Sequence, residues 1–121
     1  MKKQDKKEEK IIDASGITLG RVSTSIAMSL MGKTKPSFER NVYSGIVVKV
    51  INAGKIKITT KKLEEITHKR YSGYRGGLRI LKGTETLEKK GMRELVKLAV
   101  FQMLPDNKIR REMMKNLTIQ E

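Results

Sequence analysis

The stretch IIDASGITLGRVSTSIAMSLM, residues 11–31, decides the fold. Ile11 and Ile12 open a short apolar strand that runs to about Ala14. Asp13 and the Ser15-Gly16 pair supply turn chemistry. Thr18 stands where a helix N-cap belongs, and the spacing predicts a helix over 19–31. Val22, Ile26, Ala27, Leu30 and Met31 recur at helical intervals along one side of it. Gly32 can take the left-handed conformation that closes a helix, and Pro36 bars continuation. A strand, a tight turn and an amphipathic helix in that order begin a βαβ unit.

Working outward, Ile46 to Ile51 is β-branched and nearly continuously apolar, as in a strand covered on both faces. Asn52-Ala53-Gly54 turns the chain. The alternation in Lys55-Ile-Lys-Ile-Thr59 predicts a half-buried strand. A short helix fits Lys61 to Glu65. Thr84 is placed to cap a helix ending near Lys90, where Gly91 interrupts. Leu95, Leu98, Ala99 and Met103 then form an amphipathic helix that stops before Pro105. Asp106 is placed to cap a last helix through Met113-Met114, with Leu117 and Ile119 beyond it. The pattern is α/β around one core. Residues 1–10 are polar after Met1 and carry no apolar anchor, so they read as a flexible extension to a single domain over 11–121.

Composition narrows the function. Lys and Arg number 27 against 13 Asp and Glu, giving a formal charge of +14 shared equally between the two halves. Charge of that size favours an anionic partner. Cysteine is absent and His68 is the single histidine, which removes thiol nucleophiles, disulfides and Cys- or His-rich metal sites. No apolar run is long enough to cross a membrane, and the first residues lack the apolar centre of a secretory signal.

Catalytic motifs fail on spacing. Gly32-Lys33-Thr34 resembles the end of a phosphate-binding loop, but it follows its helix and has Ala27 where a glycine is needed. The Gly16 to Gly20 turn joins a strand to a helix N-terminus, a natural anion site. Its spacing is not the dinucleotide fingerprint, so a tight turn is the plainer reading and a small nucleotide-binding enzyme the alternative. Asp13 suits a turn or cap, and His68 reads as a surface residue. No catalytic residue, cofactor site or metal site is expected.

The cations do fall into a pattern. From Lys69 to Lys82 there are five basic residues and no acid, interleaved with Tyr71, Tyr74 and three glycines. This suits a nucleic-acid-binding loop. Arg70, Arg75 and Arg79 offer planar forks to phosphates, while Lys61, Lys62 and Lys82 act as point charges. Tyr71 and Tyr74 either stack on unpaired bases or pack on the domain's own helices. Lys33, Lys35 and Arg40 form a second basic group around Pro36. Arg110, Arg111 and Lys115 form a third, with Arg111 and Lys115 on one helix face.

The ordered motifs Ile12-Asp-Ala-Ser-Gly-Ile-Thr-Leu-Gly-Arg21, Gly32-Lys-Thr-Lys-Pro-Ser-Phe38, Val50-Ile-Asn-Ala53, Lys61-Lys-Leu63, Ser72-Gly-Tyr74 with Gly76-Gly-Leu78, and Met103-Leu-Pro105 carry a resemblance. Together they are similar to the bacterial type of the large-subunit ribosomal protein L-thirteen family, over nearly the whole chain. The resemblance implies a three-layer α/β/α sandwich around a mostly parallel four-stranded sheet. It implies a structural constituent of the large (50S) subunit, a ribonucleoprotein component of translation acting early in ribosome assembly. The implied partners are 23S rRNA and neighbouring ribosomal proteins, in the ribosome of the cytoplasm or of an organelle, with no small-molecule substrate. Tyr71 stands where the family usually has histidine, Arg75 where proline is usual, and Arg110 where glycine is common.

Overall fold

Val48 and Val50 expose no surface at all, and the sheet is arranged around them. The structure, a computed structural model, describes residues 8–121. In chain order the elements are β1 (Glu9–Asp13), α1 (Leu19–Met31), β2 (Val47–Ile51), a 3-10 turn (Ala53–Lys55), α2 (Thr60–Glu65), β3 (Thr67–Tyr71), β4 (Leu78–Lys82), α3 (Gly83–Lys90), α4 (Met92–Met103), α5 (Ile109–Lys115) and β5 (Leu117–Ile119). The strand β2 is the middle of a parallel sheet ordered β1-β2-β5. Ile12 pairs with Val50 on one side, and Leu117 and Ile119 pair with Val48 and Val50 on the other. Val48 and Val50 share the buried face of this strand, while Val47, Lys49 and Ile51 on the other are only half-buried, so the cover expected on both faces is complete on one.

Helix α1 forms as its sequence predicts. Val22, Ile26 and Leu30 are buried, and Gly32 closes the helix at φ +76°, donating to Met28 O and Ser29 O. Ser23 and Ser29 also lie on the buried side. Their hydroxyls donate to Leu19 O and Ser25 O, each at 2.8 Å, so no buried polar atom is stranded there. Helix α4 packs on α1 and contributes Leu95, Val96 and Val100 to the same core. Thr18 occupies the α1 N-cap position without a side-chain cap bond.

Several expectations are revised. The first strand begins at Glu9, before Ile11, and Glu8 O accepts from Val47 N at 2.9 Å. Of the extension expected over residues 1–10, residues 1–7 lie outside the described residues. Three strands share the parallel sheet, where the resemblance implies four. The strand expected over 55–59 is reduced to one bridge between Lys57 and Thr18. Ile56 is buried and Ile58 half-buried, so their alternation records burial without strand pairing. Instead β5 fills the sheet, a run of three residues too short to announce itself by periodicity.

The basic segment 69–82, expected as a loop, is an antiparallel ribbon of β3 and β4, with only residues 72–77 left as the connection. Helix α3 starts at Gly83, one residue before Thr84, because Gly83 presses against α2. A Cβ there would come within 2.7 Å of Leu63 O. Helix α5 is capped by Asn107 and not by Asp106. Asn107 Oδ1 accepts from Ile109 N and Arg110 N, both at 3.1 Å, while Asp106 pairs with Arg110 at 3.0 Å.

Leu95 is fully buried between α1 and the sheet-facing core. Leu95→Ala is expected to lower unfolding free energy by about 2–5 kcal/mol in urea titrations, the range for leucine truncation in a packed core.

Candidate nucleic-acid interface

The ribbon of β3 and β4 gathers the acid-free segment into one projection. Its register sets Thr67 opposite Lys82, His68 opposite Leu81, Lys69 opposite Ile80, Arg70 opposite Arg79 and Tyr71 opposite Leu78. Side chains alternate across a strand, so His68, Arg70, Arg79 and Leu81 share one face. Lys69, Tyr71, Leu78, Ile80 and Lys82 share the other. The first face turns to the domain: His68 is buried and Leu81 half-buried, and Arg70 borders a hollow with Leu81, Glu85 and Glu94.

The connection is shaped by its glycines. Gly73 and Gly76 take positive φ of 88° and 70°. Ser72 N donates to Gly77 O, and Gly77 N donates to Tyr74 O. A Cβ at Gly77 would run into Ser72 Oγ. Tyr74 is 80% exposed at this tip and Tyr71 65% exposed beside it. Both rings are open to solvent over most of their surface, which favours the stacking role over packing on the helices. Among the described residues, Arg70, Arg75, Arg79 and Lys82 form no ion pair within 4.0 Å. Lys61 and Lys62 project nearby from α2, whose first turn is fixed by Thr59 accepting from Lys62 N at 3.2 Å.

The other two basic groups lie on neighbouring segments. Lys33 and Arg40 border the same cavity as Pro105, Asn107 and Met113, so the loop after α1 meets the approach to α5. Their cations are partly committed within the protein. Lys35 Nζ pairs with Glu8 at 2.8 Å. Arg110 stacks 3.8 Å over the Phe101 ring and pairs with Asp106. Lys115 lies 3.8 Å from Glu112. Lys33, Arg40 and Arg111 are exposed, and among the described residues they make no ion pair.

The strand-to-helix turn has its own internal closure. Gly16 takes φ +71° and donates to Lys55 O at 3.0 Å. Asp13 is exposed, not buried. Its Oδ1 accepts from Ser15 N at 2.9 Å and from Asn52 Nδ2 at 3.2 Å, and these bonds hold its carboxyl below the usual range. The first bond closes the turn after β1, and the second knits it to the turn after β2. Gly32 of the Gly32-Lys33-Thr34 tripeptide is spent closing α1. Among the described residues, no three His, Asp or Glu side chains gather in a metal-binding group.

Two features of the interface were missed by sequence reasoning. Leu78 and Ile80 are 55% and 54% exposed, and their i, i+2 spacing was the readable signal of a strand with one apolar face. His68 is only 7% exposed, contrary to its reading as a surface residue. The ribbon turns it inward, where its Nδ1 lies 2.9 Å from Gln102 Nε2 of α4. Its Nε2 is buried without a partner.

Comparison with known proteins points to one family. The profile of the family described as "Ribosomal protein L13" matches residues 7–121. The chain is 46% identical over 109 residues to the large ribosomal subunit protein uL13 of Thermotoga petrophila, covering 90% of this chain and 72% of the relative. It is 42% identical over 118 residues to the uL13 protein of Thermosipho africanus, covering 98% and 78%. The uL13 protein of Deinococcus radiodurans is 40% identical over 117 residues, covering 97% and 67%.

Burial pushes the His68 imidazole below its ordinary 6.5, because the charged ring loses water in the fold. The unfolded chain therefore binds a proton near pH 6.5 that the folded chain binds only at lower pH. The resulting stability is present above about pH 6.5 and is lost as pH falls through the folded value. Thermal midpoints are expected to drop between pH 7.5 and 5.5, and His68→Gln is expected to flatten that drop.

Proposed function

This chain belongs to the ribosomal protein L13 family, and from that premise we propose that it is a structural constituent of the large ribosomal subunit, packing on 23S rRNA through its basic loops and acting early in subunit assembly. It works as a ribosomal protein and not as an enzyme. Residues 11–121 serve as the single RNA-binding domain, and neighbouring large-subunit proteins complete its surroundings. In the finer fold, the Lys57 segment bridged to Thr18 takes the place of the fourth strand, with helices layered on either side of the sheet.

The observation that carries the reading is the ribbon from Lys69 to Lys82. Its five cations have no acid among them in sequence, and its two tyrosines are exposed. A projection charged with one sign repels itself and gains by neutralising phosphates, which releases condensed counterions and supplies affinity without reading sequence. Arg70, Arg75 and Arg79 supply forks, Lys61, Lys62 and Lys82 point charges, and Tyr71 and Tyr74 rings for unpaired bases. Lys33 and Arg40 with Arg111 form the second contact; Lys33 and Arg40 border one cavity with Asn107, and Asn107 borders another with Arg111. Lys35, Arg110 and Lys115 belong to that contact while already holding acids of the protein, so they shape it more than they add charge.

The tagged protein is expected to co-sediment with large ribosomal subunits. Absence from that fraction would overturn the reading. Changing Arg70, Arg75 and Arg79 together to alanine should weaken association and flatten its salt dependence, the slope of log affinity against log salt falling by roughly 0.7–0.9 per lost phosphate contact. The fold should survive, since substitutions at exposed positions usually cost within about 0.5 kcal/mol. An unchanged slope in a folded variant would move the main contact to Lys33, Arg40 and Arg111.

A further inference from the structure

The outer face of the ribbon carries more apolar surface than an RNA-phosphate contact requires. Tyr71 and Leu78 are directly opposed across the strands, and Ile80 follows two residues on, opposite Lys69. All three are more than half exposed. Lys69 and Lys82 flank them on the same face, and both are exposed. The opposite face is occupied at its inner end, where His68 reaches Gln102 and Leu81 is half-buried, and carries exposed Arg70 and Arg79 at its outer end. A two-stranded ribbon is marginal by itself, and this one leaves a contiguous apolar strip open to water, the arrangement that marks an interaction surface.

We propose that this strip, Tyr71, Leu78 and Ile80 bracketed by Lys69 and Lys82, is a site for the bases of unpaired nucleotides. The inference rests on the RNA-binding reading above and extends the ring contact of Tyr71 to an apolar strip that Leu78 and Ile80 complete. Charge complementarity selects the occupant. From Lys69 to Lys82 there is no acidic residue, so a partner must bring negative charge together with flat apolar surface. A single-stranded RNA segment has both: its base planes cover Tyr71, Leu78 and Ile80, and its phosphates reach the two lysines. Paired RNA keeps its base planes stacked inside the helix and cannot fill the strip.

The test uses the full chain and a fluorescently labelled RNA of about 20 nucleotides, long enough to span such a site, as a single strand and as a blunt duplex. A Leu78→Ser/Ile80→Ser variant removes the apolar strip and leaves every charge. Circular dichroism and the thermal midpoint are expected to be unchanged, because both residues are exposed. The unmodified protein should prefer the single strand. The variant should lose about tenfold in affinity for the single strand, the scale of one base contact. Its duplex affinity and its salt slope from about 50 to about 200 mM should stay the same. Equal affinity for both forms, or equal losses on both, would show phosphate contact alone and overturn the base site while the RNA reading stands. If the unmodified protein binds neither RNA yet co-sediments with large subunits, the strip is covered by a protein neighbour and the proposal falls. Absence from large subunits overturns the underlying reading instead.

Discussion

The structure depends on the burial of β2. Val48 and Val50 are sealed from water, and that requires a strand on each side and an apolar layer over the face they share. The neighbours come from the two ends of the described chain, β1 beginning at Glu9 and β5 ending at Ile119. Each is short and exposed towards solvent on its outer edge, so neither would persist without β2. Helices α1 and α4 then close the core by packing on each other. Leu30 and Ile26 of the first meet Leu95 and Val100 of the second in one cluster. No residue of β3 or β4 belongs to this cluster.

That division explains the character of the interface. The ribbon of β3 and β4 rests on the domain through one face only, by His68, Leu81 and the close approach of Gly83 to α2. Its remaining surface is free to carry cations that a packed element could not accommodate without partners. The second basic region is handled differently. Lys35, Arg110 and Lys115 are balanced by Glu8, Asp106 and Glu112, and Arg110 also covers Phe101. Exposed pairs of this kind contribute little stability. Their effect is to fix where the remaining cations, Lys33, Arg40 and Arg111, stand. One region therefore presents unbalanced charge on a projection, and the other presents it on a braced surface.

His68 marks the seam between these two parts. It lies on the ribbon but bonds to α4, and burial keeps it neutral near neutral pH. A protonated ring at that position would place a charge between the projection and the core, with Nε2 lacking an acceptor. Charging the ring would therefore cost stability at this seam, since burial is what lowers its pKa.

By itself the sequence determined the strand–turn–helix opening, a strand within 46–51 and the helix boundaries at Gly32, Gly91 and Pro105, and its charge sets the sign expected of a partner. These rest on local rules: periodicity, glycine at left-handed closures, proline as a terminator, and charge. What it left undecided needed partners distant in the chain. Leu117 and Ile119 became a strand only because β2 offered an open edge, and Lys55 to Thr59 failed to become one because its rows of amides found a single bridge at Thr18. The glycine- and cation-rich segment concealed a ribbon, since its composition favours a loop and only pairing between residues 67–71 and 78–82 reveals the strands. That pairing turned His68 inward and both tyrosines outward. Alternation states which residues share a face, but which face meets the core is decided by what packs against it.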